Sequence, residues 1–182
     1  MQVEVNYTIG ESLFSEQKIR ERVECLARQI VSETPGKELL VVGILNGAVI
    51  FMSDLVRCMP PELNVKMDFM SISSYGNAAK SSGTVRILKD IGSDIEGRDV
   101  LIVEDIIDTG FTLSHVKRLL LSREPKRLKV CALLDKPSRR EVEIKADWTG
   151  FEIPDEFVVG YGIDFAQRNR NLPHIGKVRF AE

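Results

Sequence analysis

Residues 100–113 read VLIVEDIIDTGFTL, and no other stretch restricts the fold as much. Four apolar residues run into Glu104 and Asp105, two more follow, and then come Asp108 and the small-residue run Thr109-Gly110-Phe111-Thr112. An unbroken apolar run bounded by turn chemistry reads as a strand buried on both faces, a central strand of a parallel sheet. Its carboxylates then stand at the carboxyl end, where open α/β sheets bind ligands. A Thr/Gly loop opening onto a helix presents hydroxyls and backbone N–H groups to an anion, and the helix N-terminus favours a phosphate. A phosphate cradle beside three carboxylates points to a phosphorylated sugar with free hydroxyls, and to Mg²⁺. Solvated loop charges would not explain why Ile106 and Ile107 separate the acids.

The rest of the chain supplies the partners such a strand needs. Ser15 is placed to cap a helix in which Ile19, Val23, Leu26 and Ile30 recur at helical spacing to about Ser32. Residues 38–45 (ELLVVGIL) predict a buried strand, Asn46-Gly47 a tight loop, and residues 48–57 a helix. Further strands are predicted at 65–73, 85–88, 127–134 and 157–160, with a helix over 112–122. Residues 138–145 read as charged and exposed. Alternating strands and helices give an α/β fold with a mainly parallel central sheet flanked by helices. With 182 residues the chain is expected to form one domain.

Composition closes off several function classes. A net charge of −2 leaves no basic excess for nucleic acid. No stretch approaches the ~20 apolar residues of a membrane span, and residues 1–10 lack a signal-peptide layout. Three cysteines without paired spacing (Cys25, Cys58, Cys131) read as free thiols. A cytoplasmic protein is the expectation.

Polar groups collect at the predicted carboxyl ends of several strands: Leu45-Asn46-Gly47, Ser74-Tyr75, the central carboxylates, and Lys136. In a parallel sheet these ends share one edge, so the groups would surround one pocket. The run SSYGNAAKSSGT, residues 73–84, has almost nothing to bury and reads as a lid. Neither a P-loop nor a G-x-G-x-x-G fingerprint is present.

EDIIDTG resembles the phosphoribosyl pyrophosphate signature of type I phosphoribosyltransferases. The run GFEIPDEFVVGYGIDF, Arg170 behind it, Lys136 and the Ser74-Tyr75 pair make the chain similar, end to end, to hypoxanthine(-guanine) phosphoribosyltransferases. That resemblance implies the type I fold, with a core over about 15–160 and a small hood from about 1–14 and 161–182. It implies purine salvage: transfer of 5-phosphoribosyl from its 1-pyrophosphate to N9 of hypoxanthine or guanine, giving IMP or GMP, with Mg²⁺ as cofactor in a homodimer or homotetramer.

Carried over by position, Glu104 and Asp105 would hold the ribose hydroxyls, and Asp108 would lie against the purine N7 as general base or proton partner. Backbone and hydroxyls of Thr109 to Thr112, with Gly110 and Phe111 between, would bind the 5′-phosphate, and Ile107 would be among the substrate-binding residues. Lys136 would donate to the 6-oxo group, Phe157 stack on the ring, and Val158 meet its edge. Asp164 would join Glu104 and Asp105 around the metal, while Arg170 and the backbone of Asn46-Gly47 would hold pyrophosphate, with Leu45 among the substrate-binding residues. Ser74 and Tyr75 belong to the lid. Asn46 and Phe111 depart from relatives that carry basic residues there. Either those contacts are made by backbone N–H groups, or pyrophosphate affinity or subunit contacts differ. A phosphoribosyltransferase-like regulator that binds without catalysis is the rival reading.

Overall fold

The computed structural model describes residues 6–74 and 85–180. Its main layer is a six-stranded sheet in the order β4-β3-β2-β5-β6-β7. The strands are β2 (Glu38–Leu45), β3 (Asn64–Ser74), β4 (Val85–Lys89), β5 (Asp99–Ile107), β6 (Arg127–Asp135) and β7 (Trp148–Glu152). All neighbours are parallel except β4, which runs antiparallel to β3. A separate three-stranded sheet, order β1-β9-β8, joins Tyr7–Phe14 (β1), Val158–Val159 (β8) and Ile175–Phe180 (β9). This is the mainly parallel, helix-flanked α/β architecture expected from the sequence.

Period-2 alternation divides the central strands between two cores. Leu101 and Val103 of β5, with Val41 of β2 and Leu133 of β6, pack on the side of α1 (Glu16–Ser32) and α2 (Ala48–Arg57). Val100 and Ile102, with Leu40, Val42, Val130 and Ala132, face α3 (Phe111–Leu121) through Leu113, Val116 and Leu120. Covering both faces is what lets β5 be apolar throughout. Helix α1 begins where Ser15 Oγ accepts from Lys18 N–H, and it buries Ile19, Val23, Leu26, Ala27 and Ile30.

Two strands are added and one expectation is corrected. Trp148–Glu152, unassigned from sequence, is a parallel strand beside β6, and the Arg22 guanidinium donates to its Thr149 and Gly150 carbonyls. Residues 175–180, unassigned from sequence, form β9 by pairing with β1 and β8. Residues 138–145 are not simply exposed: Ile144 packs on the α3-side core and Arg140 is mostly buried. The cysteines are free, with Cys131 buried, Cys25 half-buried and Cys58 exposed. Among the described residues no helix is long and apolar enough to cross a membrane.

Candidate active site

Because β2, β3, β5 and β6 are mutually parallel, their carboxyl ends lie on one edge. That edge carries Leu45-Asn46-Gly47, Ser74, the β5 carboxylates and Lys136. Tyr75 and the remainder of the expected lid, residues 75–84, lie outside the described residues.

Glu104 is 8% exposed, and its Oε2 is buried without a hydrogen-bond partner. Burial, and then the charge and hydrogen bond of Asp105, push its carboxyl well above the usual range. Burial likewise raises Asp105, to about 6; the N–H of Ile106 and the Arg170 guanidinium pull the other way. Two adjacent carboxylates with an orphaned oxygen form a site short of donors or cations. Ribose hydroxyls or a divalent cation would supply them, so the donor set fits Mg²⁺, which prefers one or two carboxylates plus substrate oxygens and water. Among the described residues no three His, Cys, Asp or Glu side chains converge as a complete protein-built metal cage.

Gly47 lies against Asp105, and the C-terminal turn closes over both. A Cβ on Gly162 (φ +100°) would stand 2.2 Å from the Gly47 carbonyl oxygen. Arg170 donates to the Gly162 carbonyl at 2.8 Å and pairs with Asp164 at 2.7 Å. Arg170 is therefore a fixed part of this turn. The Leu45–Asn46 peptide is cis, and Asn46 is exposed.

On the other side of β5, Gly110 (φ +90°) is the N-cap of α3 and offers no side-chain cap. The first-turn N–H groups, at Phe111 and Thr112, therefore lack a side-chain acceptor, and the first turn carries no acidic residue. An anion suits such an end. Asp108 pairs with Arg139 at 3.2 Å. The Ile107 side chain is 1% exposed and belongs to the core, while its carbonyl accepts from Lys136 N–H at 2.9 Å. The Ile107 side chain is thus core and not part of a ligand-facing surface.

Lys136 is 6% exposed, so it is no solvated charge. Its Nζ stands 5.7 Å from the Phe157 ring centroid and 4.0 Å from Asp155. Phe157 is 60% exposed and therefore not core; Phe165 and Phe180 meet it edge-on, with centroids at 6.2 and 5.5 Å. Val158 is buried beside it in β8. An uncapped helix end, a carboxylate pair and an exposed ring beside a buried ammonium thus share one edge. A hollow of about 540 Å³ lined by Ile19, Asp54, Tyr161 and Leu172 contains none of these residues.

Residues 10–166 match the model of the phosphoribosyl transferase domain family. The chain belongs to that family. A hypoxanthine phosphoribosyltransferase of Salmonella typhimurium is 52% identical over 170 residues, covering 92% of this chain and 94% of its own. The hypoxanthine-guanine phosphoribosyltransferase of Bacillus subtilis is 49% identical, with 96% of each chain covered. The crystal structure of a hypoxanthine-guanine phosphoribosyltransferase from Bacillus anthracis superposes with a TM-score of 0.89 at 45% identity, covering 96% of this phosphoribosyltransferase and 99% of the other.

Sequence reasoning missed Asp155, Arg139 and Arg140. In the phosphoribosyltransferase they surround Lys136 and Asp108, yet in the sequence they read as ordinary charges of a polar loop. The one available signal was the Arg139-Arg140 pair just after Lys136, which itself follows the strand directly.

Proposed function

We propose that this phosphoribosyltransferase moves 5-phosphoribosyl from its 1-pyrophosphate to N9 of hypoxanthine and guanine, releasing pyrophosphate and giving IMP or GMP. The observation that carries the base assignment is Lys136, a buried ammonium held 5.7 Å from the exposed ring of Phe157. An ammonium only donates, so it suits the 6-oxo group of a purine whose face rests on Phe157.

Around the sugar, Glu104 and Asp105 accept from the ribose 2′- and 3′-hydroxyls, and the first turn of α3, with Thr109 to Thr112, receives the 5′-phosphate. Glu104 and Asp105 are the pair that would hold Mg²⁺, with substrate oxygens and water completing its shell, while Asp164 is engaged by Arg170; the ion when bound would neutralise developing pyrophosphate charge. Arg170 and the Asn46-Gly47 backbone hold the pyrophosphate. Asp108, between phosphate site and base, takes up the proton that the purine loses. This assignment has Asp108 leave Arg139 or share it as the base arrives. The resemblance supports a homodimer or homotetramer in the cytoplasm.

The test is chromatography of products after incubating the protein with phosphoribosyl pyrophosphate, Mg²⁺ and hypoxanthine, guanine, xanthine or adenine in turn. IMP and GMP are expected, with little AMP. Absence of any nucleotide product, with sugar-phosphate binding kept, would favour a binding regulator.

A further inference from the structure

Arg140 joins two parts of the edge that the chemistry needs in register. One arm of its guanidinium pairs with the Asp135 carboxylate, and both side chains are mostly buried, at 16% and 13% exposed. The other arm donates to the backbone carbonyl of Asp108. Asp135 ends β6 and immediately precedes Lys136. Beneath the guanidinium, the Arg140 Cδ stands 3.1 Å from where a Gly110 Cβ would be, with Ile144 and Val142 completing that wall. Next to it, Glu141 N–H donates to the Thr109 carbonyl at 3.0 Å.

We infer that Arg140 is a positioning residue, the strut that sets the distance between the base-reading Lys136 and the proton partner Asp108. The inference rests on the assignment of those two residues in the proposed function. The chemistry requires arginine in particular. A guanidinium is a planar fork of donors in fixed directions, so it binds two acceptors from two loops at a set separation. A lysine ammonium is a single point and would satisfy Asp135 while releasing the Asp108 carbonyl, or the reverse. Losing the charge altogether leaves Asp135 buried without a partner, which disturbs the residue next to Lys136. Asp108 at N7 and Lys136 at the 6-oxo group would act on neighbouring atoms of one purine edge, so a shift of about 1 Å between them is felt in both binding and rate. Arg139, by contrast, reaches the Asp108 side chain from a largely exposed position and holds no second strand end.

The experiment compares Arg140→Lys and Arg140→Met with wild type for kcat, KM for hypoxanthine and for phosphoribosyl pyrophosphate, the hypoxanthine-to-adenine ratio of kcat/KM, and Tm. Arg140→Lys keeps the charge and is expected to fold. Its KM for hypoxanthine should rise ~10-fold and its kcat fall ~10-fold. The base ratio should narrow, while KM for the sugar pyrophosphate stays within about threefold. Arg140→Met should go further in the same direction; if it does not fold, Arg140→Lys decides alone. A lower Tm with hypoxanthine KM, kcat and base ratio unchanged per folded molecule would mean that Arg140 only stabilises, and would overturn the inference. Wild type is the control for the underlying reading: if it forms no nucleotide, the proposed function fails, whereas an active wild type with an unchanged Arg140→Lys removes only the strut.

Discussion

The Cβ that Gly47 lacks would stand 1.7 Å from Asp105 Oδ2. Gly47 has ordinary helical dihedrals (φ −63°, ψ −38°), so its backbone could hold any residue. Space alone demands glycine here. Gly47→Ala is predicted to drive the Asp105 carboxylate away from Gly47 and to disturb the proposed pyrophosphate and ribose contacts together. KM for phosphoribosyl pyrophosphate should rise by ~10-fold or more, the order expected from a displacement of about 1 Å at a positioning contact. Unchanged steady-state kinetics would mean that the loop gives way at no cost.

Asp108 sits between the core residue Ile107 and the uncapped start of α3. Asp108→Asn is predicted to lower kcat by ~10²-fold, typical of a lost general base. Sugar-pyrophosphate binding should be largely kept, because the helix N-terminus is untouched. Single-turnover rates and equilibrium binding check the two halves separately, and a wild-type kcat removes Asp108 from proton transfer.

Lys136 is buried and reaches toward an exposed aromatic face. A hydrogen bond from a charged donor to the 6-oxo group is worth roughly 1.5–3 kcal/mol. Adenine would set donor against donor and leave the ammonium unpaired, so discrimination could reach ~10⁴-fold. Lys136→Met is predicted to depress kcat/KM for hypoxanthine and guanine and to narrow the gap to adenine. If all three values stay within about twofold, Lys136 does not read the base.

Asp68 tests the frame that precedes β5. Burial would raise its carboxyl, but the Ser93 hydroxyl, the N–H groups of Phe69 and Ser93, and Lys89 outweigh burial and hold it below the ordinary 3.8. A carboxyl depressed on folding stabilises fully above its unfolded value and loses that contribution as pH falls through the folded one. Asp68→Ala should therefore cost about 1–3 kcal/mol at pH 7, a Tm loss of roughly 2–12 °C. The gap to wild type should close progressively below about pH 4. A gap independent of pH, followed by calorimetry, would assign the loss to packing instead.

Much of this was legible because it is local. The apolar run of residues 100–107 can be satisfied only between two covered faces, so a central parallel strand followed from composition and order alone. Strand direction then brought Asn46-Gly47, the β5 carboxylates and Lys136 to one edge, as the pairing of β2, β5 and β6 bears out. Residues 38–45 and 48–57 coincide with β2 and α2, since turn chemistry marks both of their ends.

Tertiary structure alone decided what depends on residues distant in the chain. Ile175–Phe180 is short and mixed, and it becomes a strand only because Tyr7–Phe14 and Val158–Val159 supply its hydrogen-bond partners. Sequence alone does not say whether Phe157 is core or surface; folding leaves it exposed, with the rings of Phe165 and Phe180 nearly perpendicular to it. Arg140 looked like one charge in a polar run until folding placed Asp135 and the Asp108 carbonyl at its two arms. Periodicity records which side of an element is apolar, and motif order records the chemistry at its end. Which partners a guanidinium or an aromatic ring meets is set by the packing of segments that sequence spacing does not relate.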